Sequence, residues 1–319
     1  MQESIKQYVE SNLDRFISEL TGFLRIPSVS ADPAHYPNMV EACQWVENQL
    51  SGLGFKTQTF DQGMLPTLYA EWMQAGPDAP TVLFYGHYDV QPPDPLDLWN
   101  QPPFEPHIED GKIFARGAND DKGQMSTHLK AFEAFMRSAG KLPVNAKVLI
   151  EGEEEIGSPH LLAFVEEHKE LLKCDCAVIS DTTMWGKGVP SLCYSLRGMQ
   201  GIQVDVTGPN RDLHSGVYGG AVANPANVIC HLMAALHDDK GRVTIPGFYD
   251  GVQPLQEWER ESFASLPFDE KAFQEDLGVD ALTGEEGYTT LERRWARPTL
   301  DINGISSGYQ GPGAKTIIP

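Results

Sequence analysis

The sequence predicts an α/β protein in which a mostly parallel sheet is flanked by helices. Apolar segments of strand length alternate with segments of helical periodicity through the first part of the chain. After Arg197-Gly198 the pattern changes to a period-two segment, a glycine- and proline-rich loop and a region rich in tryptophan and glutamate. We therefore expect two domains, the first over residues 1–197 and the second over residues 198–319.

The elements of the first domain follow from the spacing of apolar residues and from the residues that end each segment. Apolar residues between Ile5 and Leu20 predict a first helix, which stops near Pro27 because proline disfavours helical conformation in the residue before it. Gly54 ends a second predicted helix over Met39–Leu53. The remaining predictions are strands at Thr67–Trp72, Thr81–Tyr85, Lys147–Ile150 and Cys176–Ser180, a helix over Lys122–Ala139 and a helix after Ser158.

The second domain gives weaker local signals. Alternating apolar and polar residues over Ile202–Val206 predict a half-exposed strand. A helix is expected near Pro225–Leu236, after the glycine- and proline-rich loop.

Composition and charge limit the classes of function. The 319 residues are 41% hydrophobic, which is enough for a sizeable core. The net charge of -21 argues against nucleic acid or an anionic membrane as a partner and is compatible with clustered carboxylates that bind cations. No apolar run approaches the roughly 18 residues of a membrane span, and the amino terminus lacks the pattern of a signal peptide, so a cytoplasmic location is expected.

The five cysteines are spaced without a metal-binding or redox pattern. Cys174 and Cys176 flank one residue near a predicted strand, and we expect both to be small buried side chains.

The apolar strand at Thr81–Tyr85 runs directly into His87 and Asp89. Residues two apart on an extended chain project from the same face, so the carboxylate of Asp89 can orient the ring of a metal-binding His87. The alternative for an isolated His-x-Asp is ordinary hydrogen bonding at the end of a strand.

Further carboxylates follow other predicted strands or precede a predicted helix. Asp120 and Asp121 stand before the helix at Lys122, where they could equally be helix-capping residues. Four glutamates within Glu151–Glu155 follow a buried strand, either as a solvated acidic patch or as a cation site. Asp181 follows the strand at Cys176–Ser180.

Because ligands bind at the carboxyl ends of the strands in such sheets, these side chains are expected to meet at one edge. One imidazole with several carboxylates suits a divalent metal, Zn²⁺ first, with Mn²⁺ or Co²⁺ also suited by ligand type. Two such ions would polarise a carbonyl and lower the pKa of a shared water, and a neighbouring glutamate could take its proton. The pattern therefore favours hydrolysis at a dinuclear metal centre.

Five segments in order resemble the signature motifs of the carnosinase, aminoacylase and acetylornithine deacetylase family of metallopeptidases, with the dipeptidase branch most similar. These segments are GHYDVQP, ARGANDDKG, EGEEEIGS, ISD and DLHSGVYGG. The resemblance runs from RIPSVS to the closing GPGAKTIIP.

The resemblance implies a role for each site residue. His87, Asp120 and Asp181 would hold one metal, and Asp120 would bridge to a second metal that Glu155 also binds. Glu154 would be the general base, and Asp89 would support His87. The implied reaction is hydrolysis of the amide bond of a dipeptide or short peptide.

The resemblance also implies that residues 198–319 form part of an inserted lid and dimerisation domain of α+β type. His214 would reach the active site of the partner subunit in a homodimer and stabilise the developing oxyanion there. Thr316 would lie near the substrate's carboxylate. From the residues alone, His214 could instead be an ordinary hydrogen-bonding residue of a glycine-rich loop.

The sequence departs from the family pattern at its end, because family members continue past AKTIIP to a lid arginine and a last metal-binding histidine. The expectation is therefore a truncated chain that binds one metal and is impaired in peptidase activity. Two alternatives remain open: an N-acyl-amino-acid deacylase of the same family, and a non-catalytic module that binds metal or dimerises.

Overall fold

The computed structural model describes residues 2–61 and 65–319 of the chain. The chain divides into two compact units, of which the first ends at Leu192 and the second runs from Cys193 to Pro319, and each is described by itself. The assignment of residues 1–197 to a catalytic domain and of residues 198–319 to a lid stays a prediction.

The first unit combines helices with a five-stranded sheet. Its helices are α1 (Gln2–Leu24), α2 (Tyr36–Gly52), α3 (Lys122–Ala139), α4 (Leu161–Glu167) and α5 (Lys169–Leu172), and its strands are β1 (Lys56–Phe60), β2 (Thr67–Trp72), β3 (Thr81–His87), β4 (His107–Glu109), β5 (Lys112–Phe114), β6 (Asn145–Glu151) and β7 (Cys176–Ile179). Strands β4 and β5 form a separate hairpin. The predicted bounds of α3 are correct, and Gly140 ends this helix in the left-handed conformation at φ 72°.

The strand order of the sheet is β1-β2-β6-β3-β7. Strand β2 is antiparallel to both of its neighbours, whereas β3 is parallel to β6 and β7, so four of the five strands run in the same direction. The register pairs His87 with Glu151 and Tyr85 with Ile179. The α/β class with a mostly parallel sheet is confirmed, and three neighbouring strands deliver their carboxyl ends to one edge.

Apolar side chains of the sheet alternate between two cores. Leu68 and Ala70 of β2 pack in the larger core with buried residues of α2 and α3, whereas Tyr69 packs in a smaller core with Phe164 of α4 and Leu172 of α5. This period of two places helices on both faces of the sheet, which fixes the register of the central strands.

The second unit contains five helices and a two-stranded sheet within the described residues. They are β8 (Leu213–His214), α6 (Ser215–Tyr218), α7 (Pro225–Ala234), α8 (Glu257–Ala264), α9 (Glu270–Leu277), α10 (Thr290–Trp295) and β9 (Ile317–Ile318). The buried Glu285 receives hydrogen bonds of 2.7 and 2.9 Å from Arg297, whose guanidinium also stacks on Tyr288. Loss of Arg297 would be costly, because it would leave this buried carboxylate without the two hydrogen bonds.

Two predictions for the chain are wrong. Residues 202–206 form no strand, and Ile202 and Val204 are exposed, because nothing in the described part of the chain pairs with this segment. Cys174 is half-buried and Cys176 exposed, because β7 lies at the edge of the sheet and pairs only with β3. None of the helices in the described residues has the length and apolar character that crossing a bilayer requires.

Candidate metal centre

Three of the predicted ligands meet at the carboxyl edge of the sheet. His87 is the last residue of β3, Asp181 follows the end of β7, and Asp120 precedes α3. One ligand atom from each residue lies within 4.8 Å of those of the other two. The carboxyl ends of two parallel strands and the segment before α3 thus bring together residues that are far apart in the chain.

The ring of His87 is fully buried, and Asp89 orients it through contacts with Nδ1. Its Nδ1 lies 3.2 Å from Oδ1 of Asp89 and 3.1 Å from the Asp89 carbonyl oxygen. Both neighbours of Nδ1 are acceptors, so in the neutral ring Nδ1 carries the proton and Nε2 presents a lone pair. Within the described residues, Nε2 is buried without a hydrogen-bond partner.

Carboxylates surround this unpartnered nitrogen. Nε2 of His87 lies 3.2 Å from Oδ1 of Asp120, 3.5 Å from Oδ2 of Asp181 and 4.0 Å from Oε2 of Glu154. An imidazole lone pair that faces two carboxylates at this spacing is a suitable donor set for a divalent cation. The residues therefore fit the metal that the sequence motifs imply.

The electrostatics of the site favour positive charge at His87, either as a second proton on the ring at Nε2 or as a cation that binds Nε2 in place of that proton. Burial lowers the pKa of His87, but the hydrogen bond to Asp89 and the nearby carboxylates of Asp89, Asp121 and Glu154 raise it to about 10. The pKa of Glu154 is raised by burial and by neighbouring carboxylates, while His87 acts in the opposite direction. The site is thus an excess of carboxylates around one imidazole, which a bound cation would neutralise.

Asp121 is a site residue that the sequence did not separate from Asp120. Its side chain is buried, and Oδ2 accepts a 3.2 Å hydrogen bond from the backbone N–H of His87. Burial raises the pKa of Asp121 to about 7. Gly86 makes this approach feasible, because a Cβ atom there would lie 2.7 Å from Oδ2 of Asp121.

The acidic run that begins with the last residue of β6 divides into two pairs with different surroundings. Glu151 accepts hydrogen bonds from the hydroxyls of Tyr85 and Ser158. Glu153 is buried and accepts from the backbone N–H of Leu65 at 3.0 Å, and its Oε2 lies 2.7 Å from Nδ1 of His160. The carboxylates of Glu151 and Glu153 therefore have hydrogen-bond partners within the protein. The sequence had left both residues as part of a possible cation site.

The other pair belongs to the 3₁₀ turn Glu154–Ile156. Glu154 approaches His87, whereas Oε2 of Glu155 accepts a hydrogen bond from Gln91. Among the described residues, Glu155 lies outside the group of potential ligands around His87. The sequence reasoning missed Gln91, although its spacing of four residues from His87 on an extended segment could have indicated it.

Ser180 and His128 support the third ligand. Nε2 of His128 on α3 lies 2.6 Å from the hydroxyl oxygen of Ser180, next to Asp181. Burial lowers the pKa of His128 and so favours the neutral ring. This contact ties the end of β7 to α3.

His214 and Thr316 lie in the second unit, on neighbouring chain segments. His214 of β8 pairs with Ile317 of β9, and the carbonyl oxygen of Thr316 accepts a 3.1 Å hydrogen bond from the N–H of Ser215. Nδ1 of His214 accepts from the N–H of Gly216, which is the kind of local hydrogen bond that the alternative reading of this loop expects. The roles of both residues at a substrate stay predictions.

Comparisons with known proteins match most of this chain. A model described as Peptidase family M20/M25/M40 matches residues 83–302. The chain is 35% identical over 329 residues to the Cys-Gly metallodipeptidase dug1 of Schizosaccharomyces pombe, covering 99% of this chain and 69% of that protein. It is 32% identical over 332 residues to the Beta-Ala-His dipeptidase of Homo sapiens, covering 99% and 65% respectively.

A solved structure agrees with these matches. The M20 family metallo-carboxypeptidase Sso-CP2 from Sulfolobus solfataricus has a TM-score of 0.74 at 33% identity, covering 95% of this chain and 68% of that one. The chain thus spans about two thirds of the length of each of these relatives.

Proposed function

The chain belongs to the peptidase family M20/M25/M40, and we propose from this membership that it hydrolyses the peptide bond of dipeptides in a reaction that depends on divalent metal. The resemblance drawn from the sequence motifs is confirmed, because relatives named Cys-Gly metallodipeptidase and Beta-Ala-His dipeptidase match nearly the whole chain. The chain is therefore a metallopeptidase of the dipeptidase branch.

One observation carries the proposal at the level of residues: Nε2 of His87 is buried, has no hydrogen-bond partner among residues 2–61 and 65–319, and faces Asp120 and Asp181. We assign these three residues to one metal, and Asp120 with Glu155 to a second. Zn²⁺ is the proposed ion, because an imidazole with carboxylates suits it. When bound, the ions supply Lewis-acid polarisation of the scissile carbonyl and lower the pKa of a water molecule.

The protein's own residues transfer the proton of the attacking water and orient the metal ligands. Glu154 takes a proton from the attacking water as its oxygen bonds to the carbonyl carbon, and delivers that proton to the amine nitrogen as the C–N bond breaks. Burial and the neighbouring carboxylates, which raise the pKa of Glu154, make it a stronger base for this step. Asp89 holds the proton on Nδ1 of His87, so that Nε2 stays available as a ligand.

The second unit supplies the remaining parts of the proposal. In a homodimer, His214 would stabilise the oxyanion at the partner's site, and Thr316 would contact the substrate's carboxylate. The antiparallel pairing of β8 and β9 supports a joint role, because it holds these two residues on adjacent segments. A dimer by analytical ultracentrifugation is the expected outcome. A cytoplasmic location stays a prediction from the sequence.

The experiment is hydrolysis of Cys-Gly and β-Ala-His by the purified chain loaded with Zn²⁺, before and after treatment with a chelator. The expectation of a single metal and impaired activity stays a prediction. Any turnover should be abolished by the chelator and restored by added Zn²⁺. Glu154→Gln should lower kcat by roughly 10²–10⁴-fold while metal uptake stays the same. Turnover that survives the chelator, or a Glu154→Gln variant with unchanged kcat, would contradict the proposal. Preference for an N-acyl-amino acid over both dipeptides would favour a deacylase instead.

A further inference from the structure

The segment from His87, the last residue of β3, to Gln91 places alternate side chains on one face. His87, Asp89 and Gln91 are every second residue of this segment, so they project from one face of the extended chain. The intervening Tyr88 and Val90 are fully buried on the opposite side. Burial of Tyr88 and Val90 therefore determines which face of the segment carries His87, Asp89 and Gln91.

Backbone contacts pin this segment in place. The N–H of Tyr88 donates to the carbonyl oxygen of Glu151 at 3.0 Å, and the N–H of Val90 donates to that of Ser28 at 2.9 Å. The hydroxyl of Ser28 also donates to the carbonyl oxygen of Tyr88 at 2.6 Å. Gln91 thus extends from a rigid backbone that is hydrogen-bonded on both sides.

Two side chains of this face hold Glu155 at different points. Oδ2 of Asp89 accepts a 3.0 Å hydrogen bond from the backbone N–H of Glu155. Nε2 of Gln91 lies 2.5 Å from Oε2 of Glu155 and 3.5 Å from its carbonyl oxygen. The backbone and the carboxylate of Glu155 are therefore both tied to the segment that begins with His87.

We propose that Gln91 is a positioning residue that orients Glu155 as a metal ligand; this inference rests on the role proposed above for Glu155. The amide N–H occupies Oε2 of the carboxylate and leaves Oε1 for a divalent cation. A neutral donor suits this position, because a lysine or arginine there would place positive charge beside the cation. The segment His87–Gln91 then carries one ligand of the first proposed metal, His87, and holds one ligand of the second, Glu155, through the hydrogen bonds of Asp89 and Gln91.

The test compares the affinity of the full chain for Zn²⁺, measured by competition with a chromophoric chelator, between the wild type and Gln91→Met. Methionine has a similar length and no N–H donor. Loss of such a supporting hydrogen bond should weaken the affected metal by about 10–100-fold. Gln44→Met is the matched control, because Gln44 also donates from Nε2 to a glutamate carboxylate, that of Glu47, at 3.0 Å.

Measuring Gln91→Met in a Glu155→Gln variant tests whether Gln91 affects Zn²⁺ affinity through Glu155 or independently of it. If Gln91 acts through Glu155, Gln91→Met should cause no further loss of Zn²⁺ affinity when Glu155→Gln is already present. The absorption spectrum of the Co²⁺-loaded chain should change in Gln91→Met and resemble that of Glu155→Gln. Unchanged Zn²⁺ affinity in Gln91→Met, or an equal loss in both backgrounds, overturns the inference, whatever number of ions the wild type binds.

These measurements distinguish this inference from the proposed function. Zn²⁺ affinity and the Co²⁺ spectrum need no substrate, so they report on Gln91 even if the chain hydrolyses no dipeptide. Dipeptide hydrolysis by the wild type together with an unaltered Gln91→Met variant would uphold the function and reject the role of Gln91. Circular dichroism and a thermal melt of each variant establish that the fold is intact.

Discussion

Oδ1 of Asp89 lies 3.2 Å from Nδ1 of His87, and both side chains are fully buried. The contact decides which nitrogen of the ring is free, because a buried carboxylate acceptor holds the proton on Nδ1. Nε2 of His87 consequently faces Asp120 and Asp181 as an acceptor. A carboxylate behind the imidazole also increases its basicity as a ligand.

The first prediction concerns this pair. Asp89→Asn keeps the size of the side chain but removes its charge, and the new amide can present N–H to Nδ1 and select the wrong tautomer. We expect Zn²⁺ affinity to fall by about 10–100-fold, measured by chelator competition. Asp32→Asn is the control, since Asp32 is an exposed carboxylate whose contacts are local: it accepts a hydrogen bond from the N–H of Ala34 and lies 3.9 Å from Nε2 of His35. Equal affinities in the two variants would contradict this account of Asp89.

The second prediction concerns the buried Glu153, which lies directly before the turn that carries Glu154. Glu153→Ala leaves the N–H of Leu65 and the ring of His160 without their acceptor, so the turn should lose its fixed position. We expect kcat for dipeptide hydrolysis to fall more than Zn²⁺ affinity at His87 does, and stability to fall by about 1–3 kcal/mol. Steady-state kinetics and urea unfolding measure the two effects.

Glu153→Gln is the matched variant for this prediction. Its amide oxygen can still accept from Leu65, so kcat and stability should recover part of the loss. His160 is nearly half exposed, with a relative side-chain exposure of 47%, and His160→Asn should have a smaller effect than Glu153→Ala. The positioning role is wrong if Glu153→Ala has the kcat of the wild type.

Local sequence signals predicted much of the first unit. The extent of α3 follows from helical periodicity, which acts within a few residues. The meeting of His87 and Asp181 follows from one general rule, that parallel strands bring their carboxyl ends to the same edge. Asp120 reaches the same site from the segment before α3, which this rule does not cover.

Contacts between distant parts of the chain could not be predicted in this way. The exposure of Cys176 depends on β7 being an edge strand, which is a property of the strand order. The partners of Glu153 and Gln91 lie on other segments, so the acidic run alone could not show which glutamates the protein satisfies internally. The segment at residues 202–206 has the alternation of a strand but lacks a pairing partner among the described residues.

The third prediction uses the cysteines. Cys43 is buried, and burial raises the pKa of its thiol to about 12, so it should not react with a maleimide in the folded protein. Cys176, Cys193 and Cys230 are exposed and should react readily. Mass spectrometry after brief labelling at neutral pH identifies the modified positions, and labelling in urea serves as the control. Rapid modification of Cys43 without denaturant would show that the core around α2 is open.

The fourth prediction concerns the pH dependence of stability and the contact between α1 and α3. Glu133 of α3 forms hydrogen bonds with Tyr8 and Arg15 of α1. Burial favours the protonated carboxyl, but the hydrogen bonds from Arg15 and Tyr8 outweigh it and lower the pKa of Glu133 below its ordinary value of 4.5. The ionised form is thus bound more strongly in the folded chain than in the unfolded one.

The sign of the effect follows from this lowered pKa. Stabilisation by Glu133 is fully present above about pH 4.5 and is lost as the pH falls through the folded pKa, because the unfolded state binds the proton first. Glu133→Gln should lower the free energy of unfolding at pH 7 by about 1–3 kcal/mol and flatten its decline below pH 4.5. Urea unfolding at a series of pH values measures both, with the exposed Glu3→Gln of α1 as the control. A Glu133→Gln variant whose stability declines with acid as steeply as that of the wild type would show that this carboxylate does not link α1 to α3 through its charge.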